Sequence, residues 1–248
     1  MSEQLSIVVP TRDGAPHAFV IADQYRRAGL APLFLIDSRS SRRYRSDALV
    51  GIEGAAILEV KQQGSFVEAM LPEIARLVRS KWLFRLDDDE FPSSALTTWL
   101  PQGAATTTRK VIAAPRRAVA IIDGVPHFAG TIPQLLPQDD QCRGFMVEAA
   151  RFRPILHSPG FDIAGGDVLD APADCFIYHF DWIVRSRDER ARKFERYQGI
   201  SGEPLERFRH QYLYEDFDRA LYDFTPVDDP TIAGLALRLL EARLSHAR

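Results

Sequence analysis

Four consecutive acidic residues, Asp87 to Glu90, follow the apolar segment at 82–84, which is typical of a buried strand, with only Arg85 and Leu86 between them. Adjacent carboxylates repel one another, so folding such a run usually requires a cation close by. Because side chains alternate between the two faces of a strand, we expect Asp87 and Asp89 on one face and Asp88 and Glu90 on the other. Carboxylates at the carboxyl end of a parallel strand lie where open α/β sheets bind ligands. Since oxygen ligands suit Mg²⁺ or Mn²⁺, the spacing predicts a site for a metal-bound diphosphate.

The same residues allow a simpler interpretation. Ser93 and Ser94 can begin a helix, and the acidic run is then a solvated turn or the start of that helix. The preceding apolar strand favours the metal site over this alternative.

Composition limits the class of protein. The chain has 248 residues, of which 46% are hydrophobic and 26% are charged, and its formal net charge is −3. These values are ordinary for a soluble α/β protein, and they do not indicate a nucleic-acid partner. Cys142 and Cys175 fit a reducing compartment and have no metal-ligand spacing. Without a signal-peptide pattern or a bilayer-length apolar segment, we expect a cytoplasmic protein with no transmembrane segment.

The elements that must position these residues alternate between strand and helix in the first hundred residues. Strand patterns cover 6–10, 32–37, 56–60 and 81–86, and helix patterns cover 16–28 and 65–80. Ser65 and Glu68 form a capping box, and Pro72 marks a kink or the start of the second helix. This alternation predicts a mixed, mainly parallel sheet with flanking helices.

The second half of the chain has a different pattern. Residues 111–122 and 128–136 predict a hairpin around Asp123-Gly124, and 175–180 predicts another strand. Helices are expected at 186–199, with a capping box of Ser186 and Glu189, and at 205–224 and 231–244. The apolar stripe of the last helix favours core packing or a dimer contact over weak association with a membrane surface. We therefore expect one α/β domain, with a nucleotide-type half (about 1–100) and an accessory half (about 101–248) that ends in helices.

Several segments together resemble family 2 glycosyltransferases with the GT-A fold. They are Pro10-Thr11-Arg12-Asp13 after the first strand, Asp37 after the second, and Asp87 to Phe91. The Asp-x-Asp-Glu-Phe form is closest to the bacterial branch that includes lipopolysaccharide core-type transferases. The segment 140–145 is similar to the Gln-x-Arg-Leu-Phe strand of that branch, and Tyr178-His179-Phe180 with Ser186 and Lys193 is similar to its His-aromatic, Ser, Lys pattern. The resemblance covers roughly residues 5–197.

The resemblance implies an inverting transfer of a sugar from a nucleotide-sugar donor to a hydroxyl of a sugar, lipid-linked or other acceptor, assisted by Mn²⁺ or Mg²⁺. It implies nucleotide-binding residues at Pro10, Thr11, Arg12, Asp37, Asp87 and Asp88. It implies metal ligands at Asp87, Asp89 and His179, with Asp89 as the preferred direct ligand. Two positions depart from the family: Asp37-Ser38-Arg39-Ser40 replaces an Asp-Asp-x-Ser-x-Asp loop, and Arg12 replaces a common aromatic residue.

The catalytic base and the role of the histidine have alternatives. We favour Asp140 as the base, with Asp139, Glu148 and Asp162 as alternatives. If neither residue is catalytic, Asp139 and Asp140 form only a polar turn. His179 is either a ligand or a hydrogen-bonded structural histidine in an apolar strand. Lys193 is either a phosphate contact or part of a solvated basic helix face.

Three other functions fit parts of the pattern. A nucleotidyltransferase would need a glycine-rich loop after the first strand, where this chain has one glycine, Gly14. A metal-dependent hydrolase would cleave a nucleotide sugar without an acceptor, and a non-catalytic domain would only hold a cation. The donor sugar, the nucleobase, the acceptor and the oligomeric state are not indicated by the sequence.

Overall fold

A computed structural model of the chain describes residues 4–12, 17–37, 56–58, 67–131, 140–165, 167–200, 206–216 and 222–246. The chain divides into two units: Met1–Pro115 with Asp140–Ile177, and Arg116–Asp139 with Tyr178–Arg248. The predicted halves met near residue 100, whereas in the structure the segment 140–177 returns to the first unit. The prediction of a single domain is not tested by this division and stays a prediction.

The strands and helices of the described residues are as follows. The strands are β1 (Leu5–Thr11), β2 (Leu33–Asp37), β3 (Ala56–Leu58), β4 (Trp82–Arg85), β5 (Glu90–Pro92), β6 (Val111–Ile122), β7 (Val125–Thr131), β8 (Asp140–Met146), β9 (Arg151–Phe152), β10 (Phe161–Asp162), β11 (Val168–Asp170), β12 (Ile177–His179) and β13 (Tyr222–Pro226). The α-helices are α1 (His17–Arg27), α2 (Leu71–Leu77), α3 (Ser94–Thr106), α4 (Asp181–Val184), α5 (Arg187–Ile200), α6 (Arg209–Tyr212) and α7 (Pro230–His246).

The first unit contains a mixed, mainly parallel sheet. Its strand order is β6-β8-β4-β1-β2-β3, in which β4, β1, β2 and β3 are parallel and β8 is antiparallel to both of its neighbours. The carboxyl ends of β1, β2 and β4 therefore lie along one edge of the sheet, and β8 begins at that edge. The predicted fold class, a mainly parallel α/β sheet with flanking helices and a C-terminal helix, is confirmed.

Apolar side chains of the sheet and of α2 build the core of the first unit. One cluster of buried side chains in this core consists of Val8, Leu35, Met70, Leu71, Ile74, Leu83, Val111, Phe145 and Phe161. The helix predicted over 65–80 begins at Leu71, after a 3₁₀ turn (Val67–Met70), and Pro72 occupies its first turn. Proline is tolerated at this position because its missing N–H would have no intrahelical acceptor. Ser65, the predicted cap, lies outside the described residues.

The second unit contains an antiparallel hairpin and helices. Strand β6 turns at Asp123 and Gly124, whose φ angles are +50° and +79°, into β7, as the Asp-Gly pair predicts. Helix α7 buries Leu235 and Leu239 completely, whereas Leu244 is exposed. The prediction of a helix over 205–224 is wrong. Two 3₁₀ turns (Glu206–Phe208 and Tyr214–Asp216) and the short helix α6 lie there, and residues 222–226 form β13 because they pair with the exposed edge of β7.

The described helices include none that is both long and apolar enough to cross a bilayer.

Candidate functional site

Residues from three separate strands meet at the carboxyl edge of the first unit's sheet. Thr11 at the end of β1 donates a hydrogen bond of 2.6 Å from Oγ1 to Oδ2 of Asp88, in the acidic run that follows β4. Asp37, at the end of β2, is completely buried, and its Oδ2 atom lies 3.9 Å from Nε of Arg12. Pro10 is buried in β1 opposite Leu35. The structure thus joins Thr11 with Asp88, and Arg12 with Asp37, as two contacts at this edge.

The acidic run forms a turn rather than the end of a strand. Strand β4 ends at Arg85, and the turn is closed by two hydrogen bonds between Asp87 and Glu90. The backbone N–H of Glu90 donates to the carbonyl oxygen of Asp87 (3.0 Å), and the backbone N–H of Asp87 donates to Oε2 of Glu90 (2.9 Å). Side-chain alternation applies to strands and not to turns, so the prediction of two opposite faces is wrong. Asp87 and Glu90, which were expected on different faces, bind the same arginine.

Two buried arginines neutralise part of the acidic turn. Arg143 of β8 donates from Nη2 to Oδ2 of Asp87 (2.9 Å) and to Oε1 of Glu90. Nε of Arg85 lies 3.5 Å from Oδ1 of Asp87, and its Nη1 lies 3.7 Å from Oε1 of Glu68. The two guanidinium groups therefore supply part of the positive charge that the acidic run requires.

Sequence reasoning missed these partners. Arg143 entered only as part of a motif, and Arg85 and Glu68 were not considered as members of the site. A usable signal was present, because charged residues within apolar strands are rarely buried without a partner. The register of β8 against β4, which brings the partners together, was not readable from the local pattern.

Close packing around Gly144 sets the position of Arg143. Gly144 lies opposite Phe84 in the β4–β8 pair. A Cβ atom at this glycine would lie 2.9 Å from Cβ of Ile112 and 3.0 Å from Cδ2 of Phe84. The absence of a side chain lets β8 approach its neighbours, and the residue before it carries the guanidinium to the acidic turn.

The remaining two acids of the turn are also buried. Asp88 accepts the bond from Thr11, and its other oxygen, Oδ1, lies 3.5 Å from Nε2 of His17 at the start of α1. Asp89 is only 3% exposed. His17 was not considered in the sequence, where it resembles any other histidine near a loop. These contacts make Asp88 a bridge between β1, α1 and the acidic turn.

The alternative of a helix start after the acidic run is correct in one respect. Ser93 caps α3 by accepting a 3.1 Å hydrogen bond from the backbone N–H of Leu96. The short strand β5 separates this helix from the acidic turn, so the four carboxylates do not belong to the helix end.

His179 lies at the end of β12 in the second unit, close to Asp181. One ring nitrogen of His179 and one carboxylate oxygen of Asp181 lie within 4.8 Å of each other. Asp181 accepts hydrogen bonds from Nζ of Lys193 (2.9 Å) and from Nη1 of Arg185. Burial raises the pKa of Asp181, but Lys193, Arg185 and His179 outweigh it and hold that pKa well below its usual range.

Lys193 is not part of a solvated helix face, as the simpler interpretation proposed. Its ammonium nitrogen binds buried Asp181 and lies 6.0 Å and 5.7 Å from the ring centroids of Tyr197 and Tyr212. Its side chain is 19% exposed. The lysine therefore contributes to a partly buried ionic cluster in the second unit.

The register of β8 separates the candidates for the catalytic base. Asp140 is exposed and begins β8, so it lies toward the carboxyl end of β4. Glu148 follows Met146, which is opposite Trp82 at the other end of β4. Asp162 forms an ion pair with Arg153, and Asp139 lies outside the described residues. Among the described candidates, Asp140 is better placed than Glu148 relative to the acidic turn.

Comparisons with known proteins give only distant likenesses. No family model matches the chain, and no curated protein matches its sequence. Similar solved structures include S. aureus TarS 1–349 in complex with UDP, with 9% identity, a TM-score of 0.46, and coverage of 88% of this chain and 73% of that one. Another is glucosyl-3-phosphoglycerate synthase from Mycobacterium tuberculosis with Mn²⁺, UDP and phosphoglyceric acid, with 12% identity, a TM-score of 0.36, and coverage of 46% and 43%.

These solved structures carry no argument about this chain. Their identities and TM-scores are too low to show family membership, substrate or mechanism for this chain. The function is therefore inferred from the residues of the site.

Proposed function

We propose that the protein is a GT-A glycosyltransferase of family 2 that transfers a sugar from a nucleotide-sugar donor to an acceptor hydroxyl with inversion. The observation that carries the proposal is the hydrogen bond from Thr11 to Asp88. It joins the end of β1 to the acidic turn after β4, at the edge where open α/β sheets bind nucleotides. The same edge carries Asp37 at the end of β2, so three motifs of the resemblance share it.

The nucleotide is assigned to the residues at the ends of β1 and β2, with Asp87 and Asp88 of the acidic turn. Pro10, Thr11 and Asp37 line the nucleobase and ribose pocket in this proposal. Arg12, where the family that the sequence resembles commonly has an aromatic residue, lies near the Asp37 carboxylate. This ion pair gives the pocket a charged group in place of a stacking ring, which we expect to alter the contact with the ribose.

A divalent ion, Mn²⁺ or Mg²⁺, is assigned to Asp89 of the acidic turn, and His179 as a further ligand stays a prediction from the resemblance. Carboxylate oxygens are hard ligands that suit both ions, and imidazole nitrogen is compatible with Mn²⁺. Asp87 belonged to the same predicted set, but its carboxylate already binds Arg143, so we assign the direct contact to Asp89. A bound ion would neutralise charge on the departing nucleoside diphosphate.

The bond changes of the transfer involve the donor, the acceptor and one group of the protein, the carboxylate of Asp140. The acceptor hydroxyl oxygen attacks the anomeric carbon from the face opposite the leaving group, and the bond from that carbon to the diphosphate oxygen breaks. The attacking hydroxyl loses its proton to the carboxylate of Asp140, which acts as general base. The sugar passes through an oxocarbenium-like state, and a single displacement inverts its configuration.

The proposal is tested by thermal stabilisation with UDP, GDP, CMP and dTDP sugars, each with Mn²⁺ or with EDTA. A ligand at about 100 times its Kd adds about 2.7 kcal/mol of stability, which corresponds to a rise in Tm of about 5–11 °C for a chain of this size. We expect such a rise for one nucleotide class, and only with Mn²⁺. Stabilisation by no nucleotide in either condition would overturn the proposal.

Matched variants test whether Asp89 binds the metal ion. Asp89→Asn is expected to abolish Mn²⁺-dependent stabilisation and to leave the circular dichroism spectrum unchanged. Asp188→Asn, at an exposed position in the first turn of α5, is the control and should behave as the wild type. Equal stabilisation of both variants would exclude Asp89 as the ligand.

A further inference from the structure

We propose that Arg143 is a positioning residue: together with Arg85, it holds the acidic turn in its binding shape before any divalent ion arrives. The part that concerns nucleotide affinity rests on the proposed function, and the part that concerns the shape of the turn does not.

Arg143, in β8, binds both ends of the acidic turn. One nitrogen, Nη2, binds the first acid of the turn, Asp87, and the last, Glu90. The two backbone-based bonds between these acids have lengths of 2.9 and 3.0 Å. Arg143 thus links the ends of the same short segment that contains Asp88 and Asp89.

Arg85 anchors the turn to the neighbouring 3₁₀ segment. Its guanidinium lies within 3.5 Å of Asp87 and 3.7 Å of Glu68, the second residue of that segment. Two acids of the run, Asp87 and Glu90, together with Glu68 therefore face two guanidinium groups, so part of the repulsion expected from the acidic run is compensated within the protein. We expect this compensation to let the turn fold without a bound cation.

The burial of Arg143 is costly, which argues for a specific role. Its side chain is 2% exposed, and its Nε and Nη1 atoms are buried without a hydrogen-bond partner among the described residues. Unsatisfied buried donors destabilise a fold, and a hydrophobic side chain of similar volume would avoid that cost. The contacts that only an arginine makes here are those with Asp87 and Glu90.

The first experiment compares Arg143→Met, Arg143→Lys and the control Arg26→Met, whose arginine is exposed on α1 and pairs with Asp23. The dissociation constant of the most stabilising nucleotide sugar of the thermal screen is measured with Mn²⁺ by calorimetry below the melting point of every variant. We expect Arg143→Met to weaken binding by about 10- to 100-fold, as is typical of residues that orient a ligand shell. Arg143→Lys should recover part of the affinity, and Arg26→Met should match the wild type. A folded Arg143→Met variant with wild-type affinity would overturn the positioning role.

A second experiment does not depend on nucleotide binding. Amide hydrogen exchange of residues 86–91 is measured in EDTA for the same proteins. The wild type should protect the Asp87 and Glu90 amides without metal, and Arg143→Met, or Arg143→Lys if the methionine variant does not fold, should exchange them about tenfold faster. Protection that appears only with Mn²⁺, or that is unchanged in the variants, would overturn the proposal. If the wild type binds no nucleotide but the exchange result holds, only the proposed function fails.

Discussion

Glu90→Gln tests the ionic network of the acidic turn most sharply. The Glu90 side chain is completely buried and accepts hydrogen bonds from Arg143 and from the backbone N–H of Asp87. Glutamine preserves the shape but removes the charge that Arg143 needs. Removing one member of a buried ion pair costs about 3–5 kcal/mol, because the other charge stays buried. We expect the lower end, since Asp87 still binds the arginine, although the amide nitrogen of the glutamine replaces one of the two accepting oxygens.

The assay is urea unfolding followed by far-UV circular dichroism, with the free energy of unfolding extrapolated to water. A loss of about 3 kcal/mol corresponds to a fall in Tm of about 6–12 °C. The control is Glu206→Gln, in an exposed pair with Arg209, where we expect a change below about 1 kcal/mol. The double variant Glu90→Leu with Arg143→Met should regain much of the lost stability, because no buried charge of that pair is left. A loss for Glu90→Gln no larger than for the control would refute the network.

Three further changes test other parts of the structure. Gly144→Ala should destabilise the protein by about 1–3 kcal/mol in urea unfolding, because the added Cβ meets Ile112 and Phe84 at about 3 Å; an unchanged stability would contradict the close packing. Asp181→Asn should lower the free energy of unfolding at pH 7 but not at the acid limit. Its pKa in the folded state lies below the ordinary 3.8, so the carboxylate stabilises the folded protein above about pH 4 and loses this effect as the pH falls. Parallel pH profiles of the free energy of unfolding for variant and wild type would contradict this. Ser186→Ala should cost about 1 kcal/mol, because the serine Oγ no longer accepts from the backbone N–H of Glu189 or donates to its Oε2 atom, and an unchanged Tm would contradict the cap.

Local sequence patterns predicted most of the elements that carry the site. The apolar runs that become β1, β2 and β4, the Asp-Gly turn of the hairpin and the Ser186 capping box each depend on neighbouring residues, and the structure contains all of them. Their alternation also predicted the parallel sheet. The resemblance assigned Thr11 and Asp88 to one nucleotide site, and in the structure a hydrogen bond joins their side chains.

Contacts between segments that are far apart in the sequence could not be predicted from local patterns. Arg143 meets the acidic turn only because β8 pairs antiparallel with β4 in one register, and a shift by one residue would turn its side chain to the other face. His17 approaches Asp88 because the fold brings the start of α1 to the acidic turn, which no local pattern indicates. The segment 222–226 has helix-compatible neighbours but pairs with β7, since the unpaired strand edge offers backbone hydrogen bonds that local propensity does not reveal.

A crystal structure of the protein with Mn²⁺ and the most stabilising nucleotide sugar would test the central claim most directly. We predict that the nucleotide lies at the carboxyl edge of the first unit's sheet, with its base and ribose against Thr11 and Asp37 and with Mn²⁺ bound by Asp89. A nucleotide bound elsewhere, or an ion at this edge that does not contact Asp89, would contradict the account.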